Sequence, residues 1–339
     1  VNVAEESIAA WVVGAGGLLG TAVRRALPLR MHAVRQHAPV SELPWADAAA
    51  CAATLERLAA TFFAHAEDRP WTVLWCAGAG AVGVSEEALD RETRIFASLL
   101  EQIAAKRRPG VPGAIFLASS AGGVYAGSSA VACDEDTPPR PISAYGRAKI
   151  EQENRLAAWS AGQRDVSTLI GRISNLYGPG QNLHKPQGLI SQLCRSVILG
   201  RPAHVYVPLD TRRDYLYADD CADAIGLGLV RLFREAAQAQ AAVHVRKVLA
   251  SEHETSIASL LASLRRIAKR PVRIVVAPSP AARLQPHAIR LRSRVWQDLV
   301  PTSQTALPVG IHRVWQDQLH QLRQGRLPAP GAITRMSAV

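Results

Sequence analysis

Ile8-Ala9-Ala10-Trp11-Val12-Val13-Gly14-Ala15-Gly16-Gly17-Leu18-Leu19-Gly20 is an apolar run that breaks at a glycine and reopens as a helix. A short, uninterrupted apolar run bounded by glycine has the pattern of a strand buried on both faces, as in a parallel sheet. Leu18 to Leu27 then carries helical spacing, ending before Pro28 with Arg24 and Arg25 near its C-terminus. Strand, glycine turn and helix together form the context that a dinucleotide-binding fingerprint requires. Gly14 allows the tight turn, Gly17 lets the backbone approach a pyrophosphate, and Gly20 permits close helix packing.

Working outward, Met31-His32-Ala33-Val34 reads as the second strand, ending at Arg35. An NAD site usually places Asp or Glu at that strand's end to meet the adenosine ribose. No acid occurs from Met31 to Val40, so Arg35 is expected to contact a 2′-phosphate, which favours NADP over NAD. The alternative is a solvated loop arginine.

The alternation continues. A helix over Ala48 to Ala66 leads to a strand at Trp71 to Cys76, then the small residues Ala77-Gly78-Ala79-Gly80, which let backbone lie along a cofactor. A helix from Ser85 towards Lys106 precedes a strand at Ala114 to Ala118, which delivers Ser119-Ser120 at its carboxyl end. Strands alternating with helices predict an α/β fold, a Rossmann-type doubly wound parallel sheet with ligands at the strands' carboxyl ends. Beyond the Tyr177-Gly178-Pro179-Gly180 turn, a long polar loop through Lys185 to Gly188 suits a substrate cover, and Gly188 to Leu199 is helical. Val205 to Val207 reads as a strand, and Asp219 or Asp220 as the cap of a helix running to Phe233. Val243 to Leu249, Ile257 to Ala268, Val272 to Val276 and Leu307 to Leu322 give a strand, a helix, a strand and a closing helix. The expected division is a dinucleotide-binding unit over 1–175, its sheet joined by part of 205–250. A smaller, interleaved C-terminal α/β substrate lobe covers 176–325, and a loose tail 326–339.

Within this frame lies Ala144-Tyr145-Gly146-Arg147-Ala148-Lys149, opening a helix that reads on to Trp159. Tyr and Lys four apart on a helix share one face. A phenol with its usual pKa of about 10 is a poor base at neutral pH, and a nearby ammonium favours the phenolate. Alone, the spacing more commonly marks an exposed helical pair. Serines after a strand are also common turn formers.

Composition narrows the field less. The chain has 339 residues, 48% of them hydrophobic, enough for one large core or two modest ones. No apolar run is long enough to span a bilayer, and the first residues carry Glu5 and Glu6 where a signal peptide would be basic. Cys51, Cys76, Cys133, Cys194 and Cys221 are dispersed without metal-ligand spacing, which suggests the reducing cytoplasm and no metal. The formal charge of +11 comes overwhelmingly from arginines spread along the chain. They are not bunched with aromatics as a nucleic-acid surface requires, so neither nucleic acid nor membrane is an expected partner.

Five motifs in order carry a resemblance. They are the glycine turn at 14–20, Ser119-Ser120-Ala121-Gly122-Gly123-Val124-Tyr125, and Tyr145 to Lys149. Arg172-Ile173-Ser174-Asn175-Leu176-Tyr177-Gly178-Pro179-Gly180 and Arg213-Asp214-Tyr215-Leu216-Tyr217-Ala218-Asp219-Asp220 follow. In these the chain resembles an extended short-chain dehydrogenase/reductase of the NAD-dependent epimerase/dehydratase group, acting on nucleotide sugars. The resemblance implies that Tyr145 transfers the proton, while Lys149 binds the nicotinamide ribose and lowers the tyrosine pKa. Ser120 would hydrogen-bond the reacting hydroxyl, with Ser119 as the alternative because an extra glycine leaves the alignment open. Gly14, Gly17, Leu18, Leu19, Gly20, Arg35, Ala77, Gly78 and Ser119 would line the NAD or NADP site, together with Tyr145 and Lys149. Asn175 and Arg213 fall where the family contacts the substrate diphosphate; the alternative for Arg213 is an ion pair with Asp214 or Asp219.

The resemblance implies a nucleotide-sugar epimerase working through a 4-keto intermediate. An NADPH-dependent reductase of a nucleotide-linked keto sugar is the alternative, and a non-catalytic cofactor-binding regulator a third. Dehydration is disfavoured because Ala121 and Gly122 stand where that branch carries Asp and Glu. A homodimer is a further expectation of the group.

Overall fold

The computed structural model describes residues 7–31, 34–37, 43–78, 84–185, 187–276, 286–299 and 304–328. Its centre is a six-stranded sheet of β1 (Ala9–Val13), β2 (Arg35–His37), β3 (Trp71–Trp75), β4 (Gly113–Ser120), β5 (Val166–Ile173) and β9 (His244–Leu249). The spatial order is β2-β1-β3-β4-β5-β9, and every neighbouring pair is parallel. β1, β3 and β5 are buried along their whole length, which is why they read as continuous apolar runs.

Both faces of the sheet are covered. On one, α2 (Ala48–Ala66), α3 (Glu86–Lys106) and α5 (Ala144–Ser160) share a core with Trp11, Phe62, Trp75, Phe96 and Leu156. On the other, α1 (Leu18–Arg30) packs against α7 (Ala218–Ala239) around Val12, Val23, Leu27, Cys221 and Ile225. This is the doubly wound α/β arrangement that the sequence predicts. The chain leaves β1 for β2 on one side and returns to β3 on the other, so the crevice above β1 and β3 is the topological switch point.

A second core brings together Tyr177, Leu193, Val205, Tyr217, Ile257, Leu261, Ile311 and Trp315. It is built from α6 (Leu189–Ile198), α8 (Ile257–Ala268) and α9 (Leu307–Arg323), with two small sheets. One sheet orders β10 (Glu254–Ser256), β8 (Arg212–Tyr217) and β6 (Asn175–Tyr177); the other pairs β11 (Ile274–Val276) with β7 (Ala203–Val205). The short α4 (Ala121–Val124) follows β4 directly. Among the described residues, no helix is long and apolar enough to cross a membrane.

Several elements depart from the sequence reading. The second strand begins at Arg35 instead of ending there; of the expected Met31–Val34 strand, residues 32 and 33 lie outside the described set. Among the described residues β2 is an edge strand, hydrogen-bonded to β1 alone, so it needs no apolar run. α1 does not stop before Pro28 but runs through it to Arg30. Proline removes the hydrogen bond to the carbonyl four residues back, that of Arg24. The Gln36 side-chain amide donates to that carbonyl at 2.6 Å and satisfies it. Neither Asp219 nor Asp220 caps α7, since Tyr217 is the N-cap residue. Asp219 pairs with Arg25, and Asp220 accepts from the Thr305 amide and hydroxyl. The expected strand at 205–207 lies earlier, at Ala203–Val205. Of the expected tail, 329–339 lie outside the described residues.

Candidate active site

A cleft of about 950 Å³ opens at the switch point, and its walls gather most of the singled-out residues. Gly14 follows β1 with φ +85°, and a Cβ there would sit 2.6 Å from the amide nitrogen of Ala77, after β3. A Cβ at Gly20 would lie 2.2 Å from the Gly14 carbonyl oxygen. The turn therefore excludes side chains at the two places where strand ends and helix converge. Gly17 is the N-cap of α1, gives no side-chain cap, and is followed by a first turn without acids. The leading amides of α1 are left for a ligand, and the helix dipole favours an anion there. Leu18, Leu19, Ala77 and Gly78 also line the cleft, while 79 and 80 lie outside the described residues.

These features fit the pyrophosphate of a dinucleotide. At the adenosine end the structure does not bring Arg35 to the described cleft wall. Arg35 pairs with Ala9 at the start of β1, far from the Gly14 turn that follows Val13, and it is not among the cleft residues. The residues at that end are Arg24, Gln36 and His37. His37 has a buried Nε2 with no hydrogen-bond partner among the described residues. Burial, with His65 nearby, lowers its pKa, so it presents a neutral ring.

Tyr145 is the second residue of α5, whose Ser143 N-cap accepts from the Gly146 amide at 3.2 Å. Lys149 follows one turn later, its Nζ 5.9 Å from the Tyr145 ring centroid. Both line the cleft, so the pair is not an exposed helical pair. Lys149 is itself buried. Its Nζ donates to Glu92 Oε1 and to Gln152 Oε1, each at 3.0 Å. Burial acts against the charge but is outweighed by the Glu92 carboxylate, with Tyr145 and Glu153 adding, so the ammonium's pKa is held above its ordinary value.

The two serines end β4 and differ in what they hold. Ser120 Oγ accepts from the Gly123 amide at 3.1 Å, capping α4, and keeps its own proton to donate. Ser119 Oγ donates to Glu153 Oε1 at 2.5 Å. Glu153 is also clasped by Arg172, through Nε at 3.0 Å and Nη2 at 2.6 Å, and both residues are almost wholly buried. Arg172 Nη1 reaches the Tyr125 hydroxyl at 2.7 Å, and that hydroxyl donates to the Asp134 carbonyl.

Asn175 lines the cleft and donates to the Asp214 carbonyl at 2.9 Å. Arg213 is not brought to the cleft wall. Its Nη1 donates to the carbonyls of Arg212 and Pro286 at 2.8 and 2.9 Å, fastening the segment that begins at 286. Burial lowers its pKa, with Tyr215 opposing.

Sequence reasoning missed Tyr215 and Tyr177 as wall residues. Their hydroxyls meet no partner among the described residues, and burial pushes both pKa values up, so both remain donors. Lys185, in the polar loop, donates to the Gly78 carbonyl at 3.2 Å across the cleft. Glu92 was missed too, although it recurs with Leu89, Phe96 and Leu99 on the buried face of α3. A carboxylate at a core position of an amphipathic helix was the available signal.

The fold and this cleft are those of a nucleotide-cofactor enzyme family. The chain belongs to the NAD dependent epimerase/dehydratase family, whose model matches residues 10–239. It is 36% identical over 96 residues to dTDP-L-rhamnose 4-epimerase of Burkholderia thailandensis, covering 28% of this chain and 26% of that enzyme. The match thus spans about a quarter of that relative's length. UDP-glucose 4-epimerase of Thermus thermophilus, solved with NAD, superposes with a TM-score of 0.69 at 20% identity, covering 91% of this chain and 98% of that one. RMD of Pseudomonas aeruginosa, solved with NADPH, gives 0.71 at 18% identity, covering 91% and 98%. At these identities the structures establish the shared fold.

Proposed function

We propose that the chain is an NAD(P)-dependent nucleotide-sugar epimerase acting through a 4-keto intermediate. The observation that carries this reading is the meeting of Tyr145, Lys149 and Ser120 in one cleft with the uncapped N-terminus of α1. A bound nicotinamide cofactor would supply hydride acceptance and return. Tyr145 takes the proton of the C4 hydroxyl as the C4 hydrogen leaves with its electron pair, and gives the proton back after the keto sugar has turned. Ser120 donates to the same oxygen and holds it in line. Lys149 keeps positive charge beside the phenol. Proton transfer by a positioned side chain is commonly worth ~10²–10⁴-fold. The amide of Asn175, on the cleft wall, is a further donor for the substrate. Ala121 and Gly122 provide no carboxyl groups for elimination.

The reductase reading is favoured by one observation. Arg24 lines the adenosine end of the cleft, where it can meet a 2′-phosphate, so NADP(H) remains the cofactor we favour, on Arg24 in place of Arg35. In this reading 1–175, its sheet joined by part of 205–250, holds the cofactor, and the interleaved lobe of 176–325 holds the sugar nucleotide. The test is product analysis after incubation with a panel of nucleotide sugars, with and without NADPH. An epimer formed without net cofactor consumption supports the epimerase. Stoichiometric NADPH oxidation supports the reductase, and no conversion under either condition contradicts both.

A further inference from the structure

The mechanism above leaves unused a buried acid that touches Lys149. Glu92 is on α3, a different helix from Tyr145 and Lys149, yet its Oε1 accepts from Lys149 Nζ at 3.0 Å. The Lys149 and Glu92 side chains are 6% and 3% exposed. Gln152 cross-links the pair, donating from Nε2 to Glu92 Oε1 at 3.0 Å while accepting from Lys149. The same amide lies 3.5 Å from the Thr93 hydroxyl. The lysine is thus gripped by two residues that do not line the cleft and have no assigned part in the chemistry.

We infer that Glu92 is a positioning residue for the reaction, the counter-ion that keeps buried Lys149 an ammonium and fixes where its charge stands relative to Tyr145. Desolvation alone would drive a buried lysine towards its neutral form. A neutral amine cannot favour a phenolate. The other charges facing Lys149 are weaker candidates for this task. Tyr145 is neutral for part of each turnover in the mechanism above. Glu153 on α5 is committed to Arg172 of β5, to the Ser119 hydroxyl of β4, and to Arg246 of β9 at 3.4 Å. Glu92 is the carboxylate in direct contact with the ammonium.

The inference rests on the proposed role of Tyr145 only for its activity arm, and a spectroscopic arm tests it independently. The chain contains five lysines, at 106, 149, 185, 247 and 269. Labelling the lysines with ¹³C at Cε therefore gives a spectrum in which Lys149 is assigned by its loss in Lys149→Met. The Lys149 titration midpoint is expected to fall by about one pH unit or more in Glu92→Gln, since an adjacent opposite charge is commonly worth ~1–3 units. Glu92→Asp keeps the charge at shorter reach and should fall in between, which also serves if the glutamine variant fails to fold. The alkaline limb of the kcat profile should move to lower pH by the same amount. An unmoved Lys149 midpoint in the folded variants overturns the inference, as does a loss of kcat with an unshifted profile, which would make Glu92 a packing residue. If activity is absent in the wild type, the proposed reaction fails while the midpoint still decides the role of Glu92.

Discussion

Ser119 donates its hydroxyl to Glu153 at 2.5 Å, and this bond separates the roles of two adjacent serines. Successive residues of a strand point to opposite faces, so Ser119 and Ser120 cannot serve the same partner. Ser119 supports the buried Glu153–Arg172 pair, whereas the Ser120 hydroxyl has no acceptor among the described residues and lines the same cleft as Tyr145. Ser120→Ala is expected to lower kcat by ~10²-fold with little change in unfolding free energy, in line with loss of a donor aimed at a reacting oxygen. Ser119→Ala should do the reverse, keeping kcat near wild type and costing about 1.5–3 kcal/mol in urea unfolding. Equal kcat losses in the two variants would reject this assignment.

The Glu153–Arg172 pair should be a stability element. Arg172 pairs with Ser119 across β4 and β5 and is 1% exposed, so its charge has no water to fall back on. Glu153→Gln leaves a buried guanidinium without its carboxylate, which typically costs ~3–5 kcal/mol. Denaturant titration should show the midpoint fall with an unchanged slope. A loss within experimental error would mean that the Tyr125 hydroxyl suffices to hold the guanidinium.

Cofactor choice should depend on Arg24 and not on Arg35. Arg35→Ala is expected to leave the NADPH-to-NADH affinity ratio unchanged, because Arg35 pairs with Ala9 at the far end of β1. Arg24→Ala should reduce the ratio by about tenfold, the low end for one charge-assisted contact. Fluorescence titration of nucleotide-free protein with both cofactors gives the ratio directly, and an Arg24→Ala ratio equal to wild type would remove the case for NADP.

Arg213 fastens backbone. Its Nη1 donates to carbonyls at 212 and 286, so Arg213→Ala should increase protease cleavage around 286–299 and lower the melting temperature. KM for the nucleotide sugar should change little. A large rise in KM with unchanged proteolysis would restore the diphosphate contact that the motif alone implies.

What the sequence made legible is what is local. The glycine turn, the buried strands and the Tyr145–Lys149 pair each lie within a few turns of chain, where spacing dictates geometry. α2 and α8 fall at the boundaries that their apolar spacing predicts. β2 was displaced because Arg35-Gln36-His37, at the edge of the sheet, is strand by pairing with β1 and not by apolarity. The passage of α1 through Pro28 depends on Gln36, eight residues further on, which no helix signal contains. Glu92 and Glu153 meet Lys149 and Arg172 only through packing of α3, α5 and β5, and a charge on a helix ordinarily reads as solvent-facing. Both recur at core spacing with buried neighbours on their own helices, and that recurrence was the readable trace.

The central claim is that Tyr145 carries the proton. The most direct measurement is kcat for Tyr145→Phe on whichever nucleotide sugar the wild type converts, with cofactor affinity measured in parallel. The phenyl ring keeps the packing of α5 and removes the hydroxyl alone, so the account predicts a fall in kcat of ~10² or more with cofactor binding unchanged. Turnover near wild type would contradict it.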